Sequence, residues 1–125
     1  MIFPGYLDQA DLPAIYSASD LYLYPSNQEA FPIPLTEAMA CGTPIITSHA
    51  NGLEEIAGSA ALLVDPRNAD EIASAALSVL TDPTLSARLA AAGIERSQVF
   101  SWQTCARRTL EILTEVAGQG RPRVA

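Results

Sequence analysis

Three short apolar runs, each closed by turn-forming residues and separated by segments of helical character, most constrain how this chain can fold. Leu21-Tyr22-Leu23-Tyr24 ends at Pro25, Ile45-Ile46-Thr47 runs toward Asn51-Gly52, and Ala61-Leu62-Leu63-Val64 stops at Asp65-Pro66. Ile2-Phe3, ahead of Pro4-Gly5, reads as the end of a further strand. Near-continuous apolar strands alternating with helices imply crossover connections and a parallel sheet covered on both faces. The expected fold class is therefore α/β, a Rossmann-like parallel sheet with flanking helices. Four strands with the first at the start of the chain is small for this class, which suggests a domain lacking its first strands.

Local signals place the helices. Asp11-Leu12-Pro13 opens a short one toward Ser19, Pro34 opens another that closes at Cys41-Gly42, and Leu53–Ala57 forms a short one ended by Gly58. Beyond Val64 the chain turns wholly helical. Asn68 with Glu71 has capping-box spacing ahead of Ile72, Ala76 and Leu80, and Asp82-Pro83 starts a helix that Gly93 should end or bend. Ser101 caps a last helix in which Trp102, Ala106, Leu110 and Leu113 share a face, with Trp102 read as its core anchor and Gly118 as its close. Residues 1–118 read as one partial domain and 119–125 as a flexible tail.

The chain has 125 residues, 49% of them hydrophobic and 17% charged, enough for one packed core and too apolar for a disordered chain. Its net charge of −7 is unevenly spread: residues 1–66 carry eight acids and no Lys or Arg. A nucleic-acid backbone would be repelled, so nucleic acid is excluded as a partner. Cys41 and Cys105 form no metal-ligand or disulfide pattern, no apolar run reaches membrane length, and the first residues lack the basic region and cleavage site of a signal peptide. The expectation is a cytoplasmic protein with no metal.

In open parallel sheets ligands bind beyond the carboxyl ends of the strands, which directs attention to the segment after Tyr24. Pro25 to Ile33 runs into the helix opened by Pro34, where free backbone donors favour an anion. Glu29 and Glu37, eight positions apart, bracket this loop, with Glu37 expected in the first helical turn. An ionised carboxylate accepts two hydroxyl protons at once, as a sugar offers; on spacing alone, Glu29 is equally read as solvated and Glu37 as a complement to the helix dipole. His49, the single histidine, and Glu55 lie after the second strand and are further candidates, each with a plain structural reading. The four tyrosines read as packing.

The run Glu29-Ala30-Phe31-Pro32-Ile33-Pro34-Leu35-Thr36-Glu37-Ala38-Met39-Ala40-Cys41-Gly42-Thr43-Pro44 closely resembles the signature of retaining GT-B glycosyltransferases of the group 1 family, an E-x7-E element followed by an EAMACGTP run. Gly5-Tyr6-Leu7, Ala18-Ser19-Asp20, Pro25-Ser26, Gly52–Ile56, Ala61–Pro66 and Phe100-Ser101-Trp102 extend the resemblance over nearly the whole chain. It implies the C-terminal, nucleotide-sugar-binding domain of such an enzyme, working against a separate N-terminal acceptor domain absent from this chain. By position Glu29 would be the catalytic-site carboxylate, contacting hydroxyls of the transferred sugar, and Glu37 would hold the ribose. The backbone of Ala30, Phe31, Pro32, Ile33, Pro34 and Leu35 would face sugar and diphosphate. The implied reaction is metal-independent hexosyl transfer with a nucleoside diphosphate-sugar as donor substrate and no separate cofactor.

Two departures stand out. The usual loop is E-G-F-G, whereas Ala30 and Pro32 replace both glycines. The family's diphosphate-binding Arg and Lys have no counterpart in residues 1–66. The chain alone is thus expected to be inactive; the alternative is a non-catalytic nucleotide-sugar-binding module or a subunit of a split enzyme. Peripheral association of a parent enzyme with a membrane stays open.

Overall fold

The computed structural model describes residues 1–118; the tail read over residues 119–125 lies outside the described residues. Helix α1 (Leu12–Ser17) leads into strand β1 (Tyr22–Tyr24), α2 (Ile33–Ala40), β2 (Ile45–Ser48), α3 (Leu53–Ala57) and β3 (Ala61–Val64). Three helices follow: α4 (Ala69–Thr81), α5 (Pro83–Ser97) and α6 (Trp102–Gly118). The strands form one parallel sheet in the order β1-β2-β3, with Tyr22, Leu23 and Tyr24 opposite Ile45, Ile46 and Thr47. Ile45 through Ser48 in turn lie opposite Ala61 through Val64.

The two-residue period of a strand divides the apolar side chains between two cores. On one face Tyr22, Tyr24, Ile45, Ala61 and Leu63 pack against Tyr16 of α1, Leu35, Ala38 and Met39 of α2, and Leu53 and Ile56 of α3. On the other, Ile46, Leu62 and Val64 meet Ile72 and Val79 of α4 and Leu85 and Leu89 of α5. Each fully buried aliphatic chain, Leu35 and Ile46 among them, contributes about 1.5–3 kcal/mol through removal of apolar surface from water. The layers are helix, sheet, helix, as the alternation of runs predicts.

Three of the four expected side-chain caps form. Asn68 Oδ1 accepts from Glu71 N at 3.1 Å, Asp82 Oδ1 from Thr84 N and Leu85 N at 2.9 and 3.1 Å, and Ser101 Oγ from Thr104 N at 3.1 Å. Only half of the capping box is made, because the Glu71 carboxylate turns to Asp65 N instead. Gly42, past the end of α2, takes φ +72°, the left-handed close expected of it.

Four expectations are corrected. Ile2-Phe3 forms no strand: the described sheet has three strands, no strand pairs with residues 2–3, and Ile2 is 90% exposed. Asp11 makes no side-chain cap on α1. Gly93 does not end a helix but lies buried inside α5 against α2, where a Cβ would stand 3.5 Å from Met39 Cα, an ordinary contact. Trp102 is 77% exposed and α6 buries no residue, because amphipathic spacing marks an apolar face without supplying what covers it. Among the described residues no helix is long and apolar enough to cross a membrane.

Candidate functional site

The segment between β1 and α2 leaves the carboxyl end of the sheet and is held there from several sides. Thr47 Oγ1 donates to Tyr24 O at 2.9 Å, and Ser48 Oγ donates to Ser26 O. Both hydroxyls are buried, so these bonds satisfy groups that would otherwise be costly to enclose. Gly52, at φ +85°, lies so close beneath the loop that a Cβ would overlap Glu29 O and stand 2.9 Å from Ala30 O. Phe31 meets Phe100 edge to face at 5.8 Å, and Arg96 stacks 5.0 Å over the Phe100 ring. Arg96 also donates to Ile56 O at 2.9 Å and Glu55 O at 2.7 Å, so it caps α3 and supports the wall behind the loop.

The two bracketing carboxylates are both half-buried, and each accepts from a tyrosine. Tyr24 Oη donates to Glu29 Oε1 at 2.7 Å, and Tyr16 Oη donates to Glu37 Oε2 at 3.3 Å. Tyr22 lies between these tyrosines, edge to face with Tyr16 at 5.6 Å and stacked on Tyr24 at 5.9 Å. Burial, then the Glu37 charge and its hydrogen bond, push the Tyr16 phenol up to about 12. Burial raises Tyr22 as well, and both Glu37 and Glu29 add to that rise. The hydrogen bond to Glu29 is the leading cause of the upward shift at Tyr24. One tyrosine ladder therefore joins the two carboxylates.

Glu37 does not lie in the first turn of α2, because the helix starts at Ile33. The dipole acts mainly within the first turn, so Tyr16 is the immediate partner of this carboxylate. Ala30, Phe31 and Ile33 are exposed, whereas Pro32 and Leu35 are buried; Leu35 is a core residue, able to reach a ligand only through its backbone. The Ile33 and Leu35 amides already donate to Phe31 O and Pro32 O, at 3.1 and 3.0 Å, and Pro32 and Pro34 have no N–H. The amides of Ala30 and Phe31 remain as donors in this segment.

His49 and Glu55 are not brought to the two carboxylates by any contact. His49 is exposed, with Nδ1 3.8 Å from Glu54 Oε2, and the Glu55 side chain is exposed on α3. Sequence reasoning passed over Tyr16, Tyr24, Thr47, Ser48 and Arg96. A signal existed for one of them: Tyr24 ends its strand five positions before Glu29, on the same face as Tyr22. An open depression of about 730 Å³ adjoins the site between α2 and the start of α6, lined by Phe31, Ile33, Glu37, Phe100, Trp102 and Arg108.

The family described as glycosyl transferases group 1 matches residues 1–96. The chain belongs to the group 1 family. O-antigen chain mannosyltransferase B of Escherichia coli is 37% identical over 106 residues, which span 85% of this chain and 28% of that protein. Sucrose-phosphate synthase from Thermosynechococcus elongatus superposes with a TM-score of 0.87 at 34% identity, over 95% of this chain and 31% of that one. Anabaena HepE, solved in complex with UDP-glucose, superposes with a TM-score of 0.78 at 28% identity, over 86% and 30%. This group 1 chain thus spans about three-tenths of the length of the relatives it matches. Its parallel sheet with flanking helices is that of a GT-B glycosyltransferase.

Proposed function

We propose that the chain is the donor-binding part of a retaining, metal-independent, E-x7-E glycosyltransferase that moves a sugar from a nucleoside diphosphate-sugar to an acceptor hydroxyl. The observation that carries this reading is the pair Glu29 and Glu37, eight positions apart, each accepting a hydrogen bond from a tyrosine hydroxyl. That a structural neighbour, HepE, was solved in complex with UDP-glucose supports the choice of donor class.

In this reading Glu37 accepts hydroxyl protons of the ribose and Glu29 those of the transferred sugar, each as an ionised acceptor. The Ala30 and Phe31 amides face the sugar and diphosphate. The bond from the anomeric carbon to the diphosphate oxygen breaks as the bond to the acceptor oxygen forms on the same face. The acceptor's proton passes to the departing phosphate oxygen. Donors preorganised toward that oxygen supply the rate enhancement, and residues 1–66 contribute no Lys or Arg to them. Alone, the chain is inactive.

The test compares the 125-residue chain with a protein that joins it to an upstream half carrying the acceptor domain, following release of nucleoside diphosphate from a panel of donors. Turnover by the joined protein alone is the expected result. Turnover by the short chain, or undiminished turnover by the joined protein after Glu29→Gln and Glu37→Gln, would refute the reading.

A further inference from the structure

We propose that Tyr24 and Tyr16 are positioning residues for the donor, each fixing one carboxylate so that its second oxygen is presented to a sugar hydroxyl. The inference rests on the reading of Glu29 and Glu37 given above and goes beyond it by naming what orients them.

Glu29 belongs to an irregular loop, and Glu37 stands on α2 beyond the reach of the helix end. A glutamate has three rotors, and ordering them at the moment of binding weakens affinity unless the order exists beforehand. The tyrosines supply that order because they are themselves held. Tyr24 is in β1, registered against Thr47, and its ring stacks on Tyr22 at an interplanar angle of 12°. Tyr16 is wedged edge to face on the same Tyr22 at 82°, and its carbonyl accepts from Thr43 Oγ1 at 2.7 Å.

Each phenol fills one carboxylate oxygen, Oε1 of Glu29 and Oε2 of Glu37. Among the described residues no protein group bonds to the other oxygen of either. A carboxylate with one oxygen occupied and the other open is an oriented acceptor, able to take a hydroxyl without rearranging. The shorter bond, 2.7 Å against 3.3 Å, makes Tyr24 the stronger clamp. Because Tyr22 touches both rings, the two clamps share one support.

The test uses the full-length enzyme carrying this chain, with turnover measured on the best donor and Kd measured for UDP, GDP and ADP. Tyr24→Phe is expected to lower kcat about tenfold, the size of one lost hydrogen bond to a charged group, with Kd for the best nucleoside diphosphate unchanged. Tyr16→Phe is expected to raise that Kd about threefold, its longer bond being weaker, with kcat nearly unchanged. Each effect should vanish in the matching Glu→Gln background, Glu29→Gln for Tyr24 and Glu37→Gln for Tyr16, and circular dichroism should show the fold intact. A purely structural role would lower the melting temperature without this kcat-against-Kd split, and that result overturns the inference. So does wild-type behaviour of both Phe variants while the Gln variants are impaired, an outcome that leaves the proposed function standing. If the Gln variants are themselves unimpaired, the functional reading fails and the inference with it.

Discussion

Gly52→Ala tests how the donor loop is supported. Gly52 takes φ +85° and ψ −43°, a sparsely populated region outside the left-handed helix that costs an alanine about 1–3 kcal/mol. Its new Cβ would also overlap Glu29 O and approach Ala30 O to 2.9 Å. Both are backbone atoms of the loop, so relief requires moving the loop, and overpacking of this kind costs about 1–3 kcal/mol. Gly58→Ala is the comparison: its backbone, at φ +55° and ψ −127°, is strained for an alanine as well, yet the nearest atom to its Cβ is Arg96 Nε at 3.5 Å, an ordinary contact. Only Gly52→Ala adds to that strain the overlap with the loop, about 1–3 kcal/mol. For a chain of this size it corresponds to a melting temperature lower by about 4–12 °C in Gly52→Ala. Thermal unfolding followed by circular dichroism reads it directly. A melting temperature of Gly52→Ala equal to that of the parent would refute the claim that Gly52 is kept small by the loop.

Two further perturbations probe the surroundings of the site. Arg96→Met removes the hydrogen bonds to Glu55 O and Ile56 O and the stack on Phe100, at an expected cost of about 1.5–3 kcal/mol, seen as a lower urea midpoint with an unchanged slope; an unchanged midpoint would contradict the capping role. Alkaline pH should destabilise the fold, because Tyr16 is pushed up to about 12 and Tyr22 and Tyr24 also shift upward. Unfolded phenols ionise near pH 10 while folded Tyr16 keeps its proton, so the unfolded state binds fewer protons and stability falls between pH 10 and 12. Urea midpoints across that window should fall less steeply in Tyr16→Phe, and an identical slope would contradict the assignment.

Features set by nearby residues were legible in the sequence. Leu21–Tyr24, Ile45–Thr47 and Ala61–Val64 locate all three described strands to within a residue, since β-prone side chains bounded by Pro, Gly or Asn leave little choice. Asn68, Asp82 and Ser101 cap their helices because the acceptor and its amide lie two or three positions apart. Features that need a distant partner were not. Ile2-Phe3 has β character, but no strand among the described residues pairs with it. Gly93 looks like a terminator until Met39 is seen across the helix contact. Tyr16 lies 21 positions from the carboxylate it holds, and Arg96 lies 40 from the carbonyl it caps, separations at which no local pattern exists. The loop carrying Glu29 and the helix carrying Glu37 could be located beforehand, whereas the tyrosines that orient them emerge only from the packing of α1 against the sheet.

The central claim is that Glu37 holds the nucleotide of a donor sugar, and calorimetric titration of UDP, GDP and ADP into the full-length enzyme and its Glu37→Gln variant tests it most directly. The account predicts that one nucleoside diphosphate binds the parent and binds Glu37→Gln at least about tenfold more weakly, the loss of a charged acceptor shared by two hydroxyls. Equal affinity in the two proteins would contradict it.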